Sequence, residues 1–249
     1  MSPRPPNREP ALEKTRDSHE NIDRPDYEGQ ERALWLHNLT QIAHQLAQND
    51  PGLVKKIETF TRKFGFDEDD VRRKIEEDEM FGAHFVKDPK RQNFYGNVAA
   101  EWIRDVLRAA DFDNLPTRGQ NAVYLGSNGN FVQGRNANAE DRRSKSLDFR
   151  WREGNWTIYA SHKYTRESGG AQDNQFNDVR NLISRFQTSP SENVVLINIV
   201  DGAYYTDAKM EELIHYQRDR IPLSRAIHIE ELPETLTEIQ HAQEQARKR

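Results

Sequence analysis

Residues 89–249 predict an α/β domain, a mixed β-sheet core flanked by helices, preceded by a helical subdomain over residues 30–88. Three observations carry this. NVVLINIV (193–200) is a continuous apolar run of the buried-strand kind. Two shorter strand-like runs, 146–152 and 156–164, are joined by an REGN turn. Amphipathic helical segments are interleaved with these strands, which makes a sheet with helices on both faces the economical architecture.

Residues 1–29 are rich in Pro, Arg, Asn, Asp and Glu with almost no apolar side chains, so a disordered arm is expected there. From 31 to 50, Leu34, Trp35, Leu39, Ile42, Ala43 and Leu46 recur at helical spacing. A second helix should begin near Pro51 and stop at Gly65. A third is expected over 67–80, where the acidic start suits a helix N-terminus. DNA clamping, dimer contact and scaffolding are all open as roles for this helical segment. Residues 93–110 form the clearest amphipathic helix, with Val98, Trp102, Ile103, Val106, Leu107 and Ala110 in one stripe and Glu101 on its flank. NAVYLG (121–126) reads as a strand. Residues 127–145 show no periodicity and are rich in Asn, Gly and Arg, which reads as a long functional loop. After strands 146–152 and 156–164 come a helix from about 172 to 187, the strand 193–200, and a helix at 206–219. A short strand AIHIEE and a C-terminal helix from about 233 end the chain.

Composition narrows the chemistry. The 249 residues contain no cysteine, which excludes disulfides and thiolate metal sites and allows a reducing compartment. No apolar run approaches the roughly 18 residues of a membrane span, and the N-terminus lacks a signal-type apolar region, so a cytoplasmic protein is expected. Mean hydropathy is -1.00. The net charge of -5 does not advertise nucleic-acid binding, but the charges are segregated. Residues 67–79 carry eight acids against three bases, while 133–166 carry eight bases against four acids. A local basic zone weighs more for phosphate binding than the whole-chain sum.

Strand alternation assigns faces. Leu147, Phe149 and Trp151 should point one way and Asp148 the other. Thr157, Tyr159, Ser161 and Lys163 share one face of the next strand, and Ile158, Ala160 and His162 the opposite one. Pairing through the REGN turn then sets Asp148 across from the Ser161–Lys163 edge. A carboxylate beside a lysine suits Mg²⁺-assisted phosphodiester hydrolysis, since the hard cation takes oxygen ligands and the lysine can orient water or offset developing charge. An ordinary Asp–Lys pair on a sheet is the plain alternative. Gln172 and Gln175 project into the apolar stripe of the following helix (Phe176, Val179, Leu182, Ile183, Phe186), and core-facing amides need partners. A phosphate site at that helix start and simple capping of the loop backbone both answer this need. His162 faces Ile158 and Ala160, which favours a packed, hydrogen-bonded role. The remaining histidines lack zinc-ligand spacing. No nucleotide loop or nucleophile elbow is present.

The order helix, three strands, helix, strand, with Asp148 in the middle strand and Lys163 in the next, resembles the PD-(D/E)XK nuclease superfamily. KYTRESGGAQDNQ, Lys163 to Gln175, is similar to segments of type II restriction endonucleases, in which a Gly-Gly turn and a glutamine-bearing helix follow the catalytic lysine. The resemblance implies a restriction-endonuclease-like fold and a Mg²⁺-dependent, site-specific endonuclease acting on double-stranded DNA, commonly as a homodimer. It implies that Asp148 binds metal, that Lys163 is catalytic, and that Glu101 is the acid on the preceding helix. Gln172 and Gln175 would organise the site. The pattern breaks at Ser161, where the family places Asp or Glu. Glu101, Glu167 or Asp173 could supply the missing carboxylate, or Ser161 and the His162 backbone carbonyl could serve as neutral ligands. Arg135, Asn136, Asn138, Arg142, Arg143 and Lys145 in the basic loop are the expected DNA contacts. A repair or junction nuclease, a non-catalytic DNA-binding protein and a small-molecule α/β enzyme stand as alternatives, and no nucleotide cofactor is expected.

Overall fold

Trp151, Ile158, Ile197 and Ile199 are fully buried at the centre of a five-stranded mixed sheet. The computed structural model describes residues 24–88, 93–108, 111–167, 170–187, 193–217 and 223–247. Most of the expected arm, residues 1–23, therefore lies outside the described residues, as do Ala110 of the predicted helix stripe and Ser168 and Gly169 of the Gly-Gly turn.

The strand order is β1 (Asp113–Asn114), β4 (Phe149–Glu153), β5 (Trp156–Tyr164), β6 (Val194–Asp201) and β7 (Ser224–Ile227). β1, β4 and β5 run antiparallel to one another in sequence, whereas β5, β6 and β7 are parallel. β5 is thus the seam where the pairing sense changes. Alternation along β6 sends Val195, Ile197 and Ile199 to one face and Leu196 and Val200 to the other. On the first face pack α6 (Phe94–Leu107), through Val98, Ala99 and Ile103, and α9 (Leu232–Arg247), through Leu232, Leu236 and Ile239. On the second pack α7 (Gly170–Arg185), through Phe176, Val179 and Ile183, and α8 (Asp207–His215), through Met210 and Leu213. The α/β class with helices on both faces is therefore observed.

Three expectations need correction. The run 121–126 does not join the main sheet as a strand. Its β2 (Val123–Leu125) pairs with β3 (Phe131–Gln133) in a separate two-stranded hairpin, and β1 takes the sheet edge instead. Residues 127–145 are accordingly not one structureless loop, because they contain β3 and a 3-10 turn at Asp141–Arg143. The buried Asp141 carboxylate organises this segment by accepting from the Ser127 and Asn138 amides. Third, Leu147 does not share a face with Phe149 and Trp151. It packs with Val123, Leu125 and Leu182 under the hairpin.

The N-terminal helices are α1 (Tyr27–Thr40), α2 (Ile42–Ala47), α3 (Pro51–Phe64), α4 (Glu68–Glu77) and the single turn α5 (Glu79–Gly82). Ile42, Leu46, Leu53, Ile57, Val71, Ile75 and Phe85 give them their own core. Asp50 caps α3 ahead of Pro51, and Gly65 ends it at φ +73°, a left-handed conformation suited to glycine. The stretch expected as one helix over 31–50 breaks at Gln41 and begins earlier, at Tyr27, which lies in the core of the sheet instead of in a disordered arm. Among the described residues no helix is long and apolar enough to cross a membrane.

Ile197→Ala, in the fully buried centre of β6, should cost about 2–5 kcal/mol in urea unfolding. Leu36→Ala, on an exposed position of α1, should stay within about 0.5 kcal/mol of the wild type.

Candidate functional site

The sheet forks at Asp148. The β4–β5 ladder pairs Phe149 with Ala160, but the Asp148 amide donates to the Ala160 carbonyl at 2.8 Å, one residue off that register. Just before it the chain leaves β5, and the Leu147 amide donates to Val123 at 2.8 Å. Across the gap, the Leu115 amide reaches the Asp148 carbonyl, also at 2.8 Å. The slip explains why Leu147 and Phe149 face different cores. Where the ladder would continue, the Asp148 side chain takes over, its Oδ2 accepting the His162 amide at 2.8 Å.

Lys163 comes to the same place. Its Nζ donates to the His162 carbonyl at 3.0 Å and lies 3.5 Å from Asp148 Oδ2. The lysine side chain is 16% exposed, so the ammonium is held within the fold instead of ranging through solvent. A cleft of about 70 Å³ opens beside Asp148, lined by Asn93, Gly96 and Asn97 from the start of α6, Asn114 at the end of β1, Leu115 and Thr117 after it, and Phe149 and His162. Asn93 is the N-cap of α6, adopts φ +55°, and makes no side-chain capping bond. Asparagine tolerates that conformation, and the helix presents its positive end here.

The other expected residues divide. Glu101 is exposed and does not line the cleft; Asn97, one turn earlier on α6, does. Ser161 is buried and donates to Asn198 Oδ1 at 2.8 Å, while Asn198 Nδ2 donates to the Arg225 carbonyl at 3.3 Å, so the hydroxyl is engaged in the sheet interior. Gln175 lies beside the lysine strand, where its Oε1 accepts the hydroxyl of the buried Thr165 at 3.2 Å, and both Gln172 and Gln175 are half-buried. Of the other acids, Glu167 is exposed and Asp173 accepts the Tyr204 hydroxyl at 2.6 Å. In the basic loop, Arg135, Asn136 and Arg143 are exposed. Arg142 is tied to the Gly134 carbonyl, Asn138 caps the 3-10 turn, and Lys145 lies 3.8 Å from Asp178.

His162 carries a second set of contacts that the sequence did not reveal. Its ring lies 3.0 Å from the Tyr27 hydroxyl through Nε2 and 3.6 Å from Asp201 Oδ2. Tyr27 donates its single proton to Asp201 at 3.0 Å. Burial and the adjacent Asp201 charge push the phenol far above its ordinary pKa, so it stays protonated. With that proton committed, the Tyr27 oxygen can only accept from His162, which places a proton on Nε2. Asp201, 2% exposed, also accepts the Ile229 amide at 3.1 Å through Oδ1. His228 Nδ1 donates to the Val200 carbonyl at 2.9 Å and stands 3.9 Å from the same carboxylate. An Asp closing a buried apolar strand was the available sequence signal for Asp201. For Tyr27, 135 residues from His162, there was none.

Protein-family models, curated proteins and solved structures offer no match to the chain.

No cluster of three or more His, Cys, Asp or Glu side chains able to hold a metal occurs among the described residues. The donors at the fork are one carboxylate, the His162 carbonyl and the cleft asparagines. This set suits a hydrated Mg²⁺, which is commonly bound through one or two carboxylates and completes its shell with water and substrate phosphate. It does not suit zinc.

Tyr27→Phe removes the proton donor to Asp201 and the acceptor for His162. It should lower unfolding stability by about 1–3 kcal/mol, read from the urea midpoint at neutral pH. A loss below about 0.5 kcal/mol would show that Asp201 does not depend on the phenol.

Proposed function

We propose that the chain is a Mg²⁺-dependent endonuclease that hydrolyses phosphodiester bonds of double-stranded DNA, acting in the cytoplasm as a sequence-specific restriction enzyme. The observation that carries this reading is the pairing of the Asp148 carboxylate with the Lys163 ammonium at the forked end of β4 and β5, 3.5 Å apart, with Asp148 lining the cleft at the N-terminus of α6. The resemblance of residues 163–175 to restriction-enzyme segments supports it.

Asp148 and the His162 carbonyl would hold the cation, with Asn93, Asn97 or Asn114 adding neutral oxygens at the rim. A bound Mg²⁺ supplies Lewis-acid polarisation of the phosphate and a more acidic water. Lys163, with donors to spare beyond the His162 carbonyl, orients that water or meets the charge that develops on the phosphoryl oxygens. The α6 N-terminus offers main-chain N–H groups to the phosphate. Arg135, Asn136 and Arg143, exposed on the loop that follows β3, suit contacts to phosphates and base edges. Cutting both strands calls for two copies of the site, hence a homodimer.

One observation favours a second reading, a DNA-binding protein of this fold that does not cut. The position expected to carry a second carboxylate holds Ser161, which is buried and bonded to Asn198.

Incubation of phage DNA with the chain and Mg²⁺ should give discrete, reproducible fragments, and chelation of the metal should stop the reaction. Asp148→Ala and Lys163→Ala should each slow cleavage by about 100-fold or more, with DNA binding by Lys163→Ala retained. Unchanged cleavage by both variants would remove the assigned site. Wild-type binding without cleavage would establish the non-catalytic reading, and nicking that follows DNA shape would point to repair or junction chemistry.

A further inference from the structure

The turn between α3 and α4 exposes an apolar surface that the folded chain leaves uncovered. Phe64 is 53% exposed and Phe66 58%. Phe64 and Phe66 stack against the half-buried Phe60, at 4.8 and 5.8 Å between ring centroids, so the rings form one continuous surface with the helical core beneath. Beside it runs a groove of about 300 Å³, lined by Phe66, Val71 and Phe81 and edged by Asp70, Arg73, Lys74 and Glu77. Large exposed aromatics grouped in this way mark an interaction surface.

The charges around the patch say what covers it. The last turn of α3 carries Arg62 and Lys63, with the Lys63 ammonium 5.0 Å from the centre of the Phe64 ring. On the other side of Gly65 stand Asp67, the cap of α4, and Glu68, Asp69 and Asp70 in its first turn. The rim is bipolar: Arg62 and Lys63 stand on one side of the phenylalanines, and Asp67 and Asp69 on the other, where Glu68 and Asp70 are paired with Arg72 and Arg73. Residues 67–79 carry eight acids against three bases, which repels a DNA backbone or an anionic membrane surface. A two-fold axis through the Gly65 turn, by contrast, sets apolar surface on apolar surface and the basic side of each copy on the acidic side of the other. Self-complementarity of that kind is what an isologous contact requires.

We infer that the Phe64–Phe66 surface is the homodimer interface of this protein. The inference stands on the helical unit alone and does not need the nuclease reading. If that reading holds, it supplies the second copy through residues that take no part in the Asp148 cleft.

Analytical ultracentrifugation of the full chain across the micromolar range tests it. The wild type should sediment as a dimer that weakens in high salt. Phe66→Asp should raise the dissociation constant by about 30-fold or more, the size of a central interface residue. Two charge-reversed chains give the decisive arm. Arg62→Glu with Lys63→Glu, and Asp69→Lys with Asp70→Lys, should each weaken self-association by about 10-fold, and an equimolar mixture of the two should restore it as a heterodimer. All four positions are exposed, so these chains remain folded. A monomeric wild type overturns the inference, as does a dimer indifferent to all three variants, or a mixture that associates no better than its components. A monomeric wild type would also count against double-strand cutting by paired sites, whereas the variant and mixing arms leave the Asp148 cleft untouched and are read independently of cleavage.

Discussion

His162 is gripped from two directions, and both grips involve charged groups that would be costly to leave unpaired. Its amide and carbonyl meet Asp148 and Lys163, while its ring meets Tyr27 and Asp201. A carboxylate as buried as Asp201 loses several kcal/mol of hydration and is tolerated only where donors replace the water. Those donors come from the first turn of α1 and from the segment after β7, while His162 on β5 is tied to the same anion through the Tyr27 hydroxyl. Three elements far apart in the chain thereby converge on one anion at the ends of the parallel strands. β5 cannot slide relative to β6 without breaking this set. The position of the His162 backbone, and with it the distance between Asp148 and Lys163, follows from that constraint.

The fork at Asp148 has its own local cause. A one-residue slip at the start of β4 frees Leu147 to pack beneath the β2–β3 hairpin and leaves the His162 amide without a main-chain acceptor from β4, a place the Asp148 carboxylate fills. The same register accounts for Ser161. That residue faces Asn198 in a fully buried part of the β5–β6 pair, where the serine donates to the amide oxygen. A carboxylate there would set a buried charge against an acceptor, so the small neutral side chain is the one that fits. Any cation at the fork must then rely on neutral oxygens for the rest of its shell.

Much of the fold was legible because it rests on short-range periodicity. The α6 stripe with Val98 and Ile103, the apolar β6, and the alternation of β5 all follow from local pattern, and alternation alone placed Asp148 opposite the Ser161–Lys163 edge. What escaped was set by long-range contacts. The hairpin strands are three residues each, too short to show alternation, and they are held by Asp141 reaching back to Ser127. Glu101 lies on the right helix, but the slip at β4 brings Asp148 to the first turn of α6 and Asn97 beside it. Tyr27 looked like part of a polar arm because its partners, His162 and Asp201, lie 135 and 174 residues away.

Charge segregation also changes meaning once the partners are known. Of the eight bases between residues 133 and 166, several are committed within the protein: Arg150 to Asp113, Arg166 to Glu31, Arg142 to the Gly134 carbonyl, and Lys163 to the fork. Arg166 also helps fix α1, since Glu31 accepts from both it and the Tyr95 hydroxyl. Two of the eight, Arg166 and Arg150, thus spend their charge on holding the N-terminal helix and the sheet edge. Arg135, Arg143, Lys145 and Arg152 remain exposed, with Lys145 3.8 Å from Asp178. A polyanion approaching this face would meet those cations together with the α6 N-terminus and the rim asparagines. The cleft holds about 70 Å³, so its size and the placement of these neutral donors, more than the net charge of -5, would select any anion it admits.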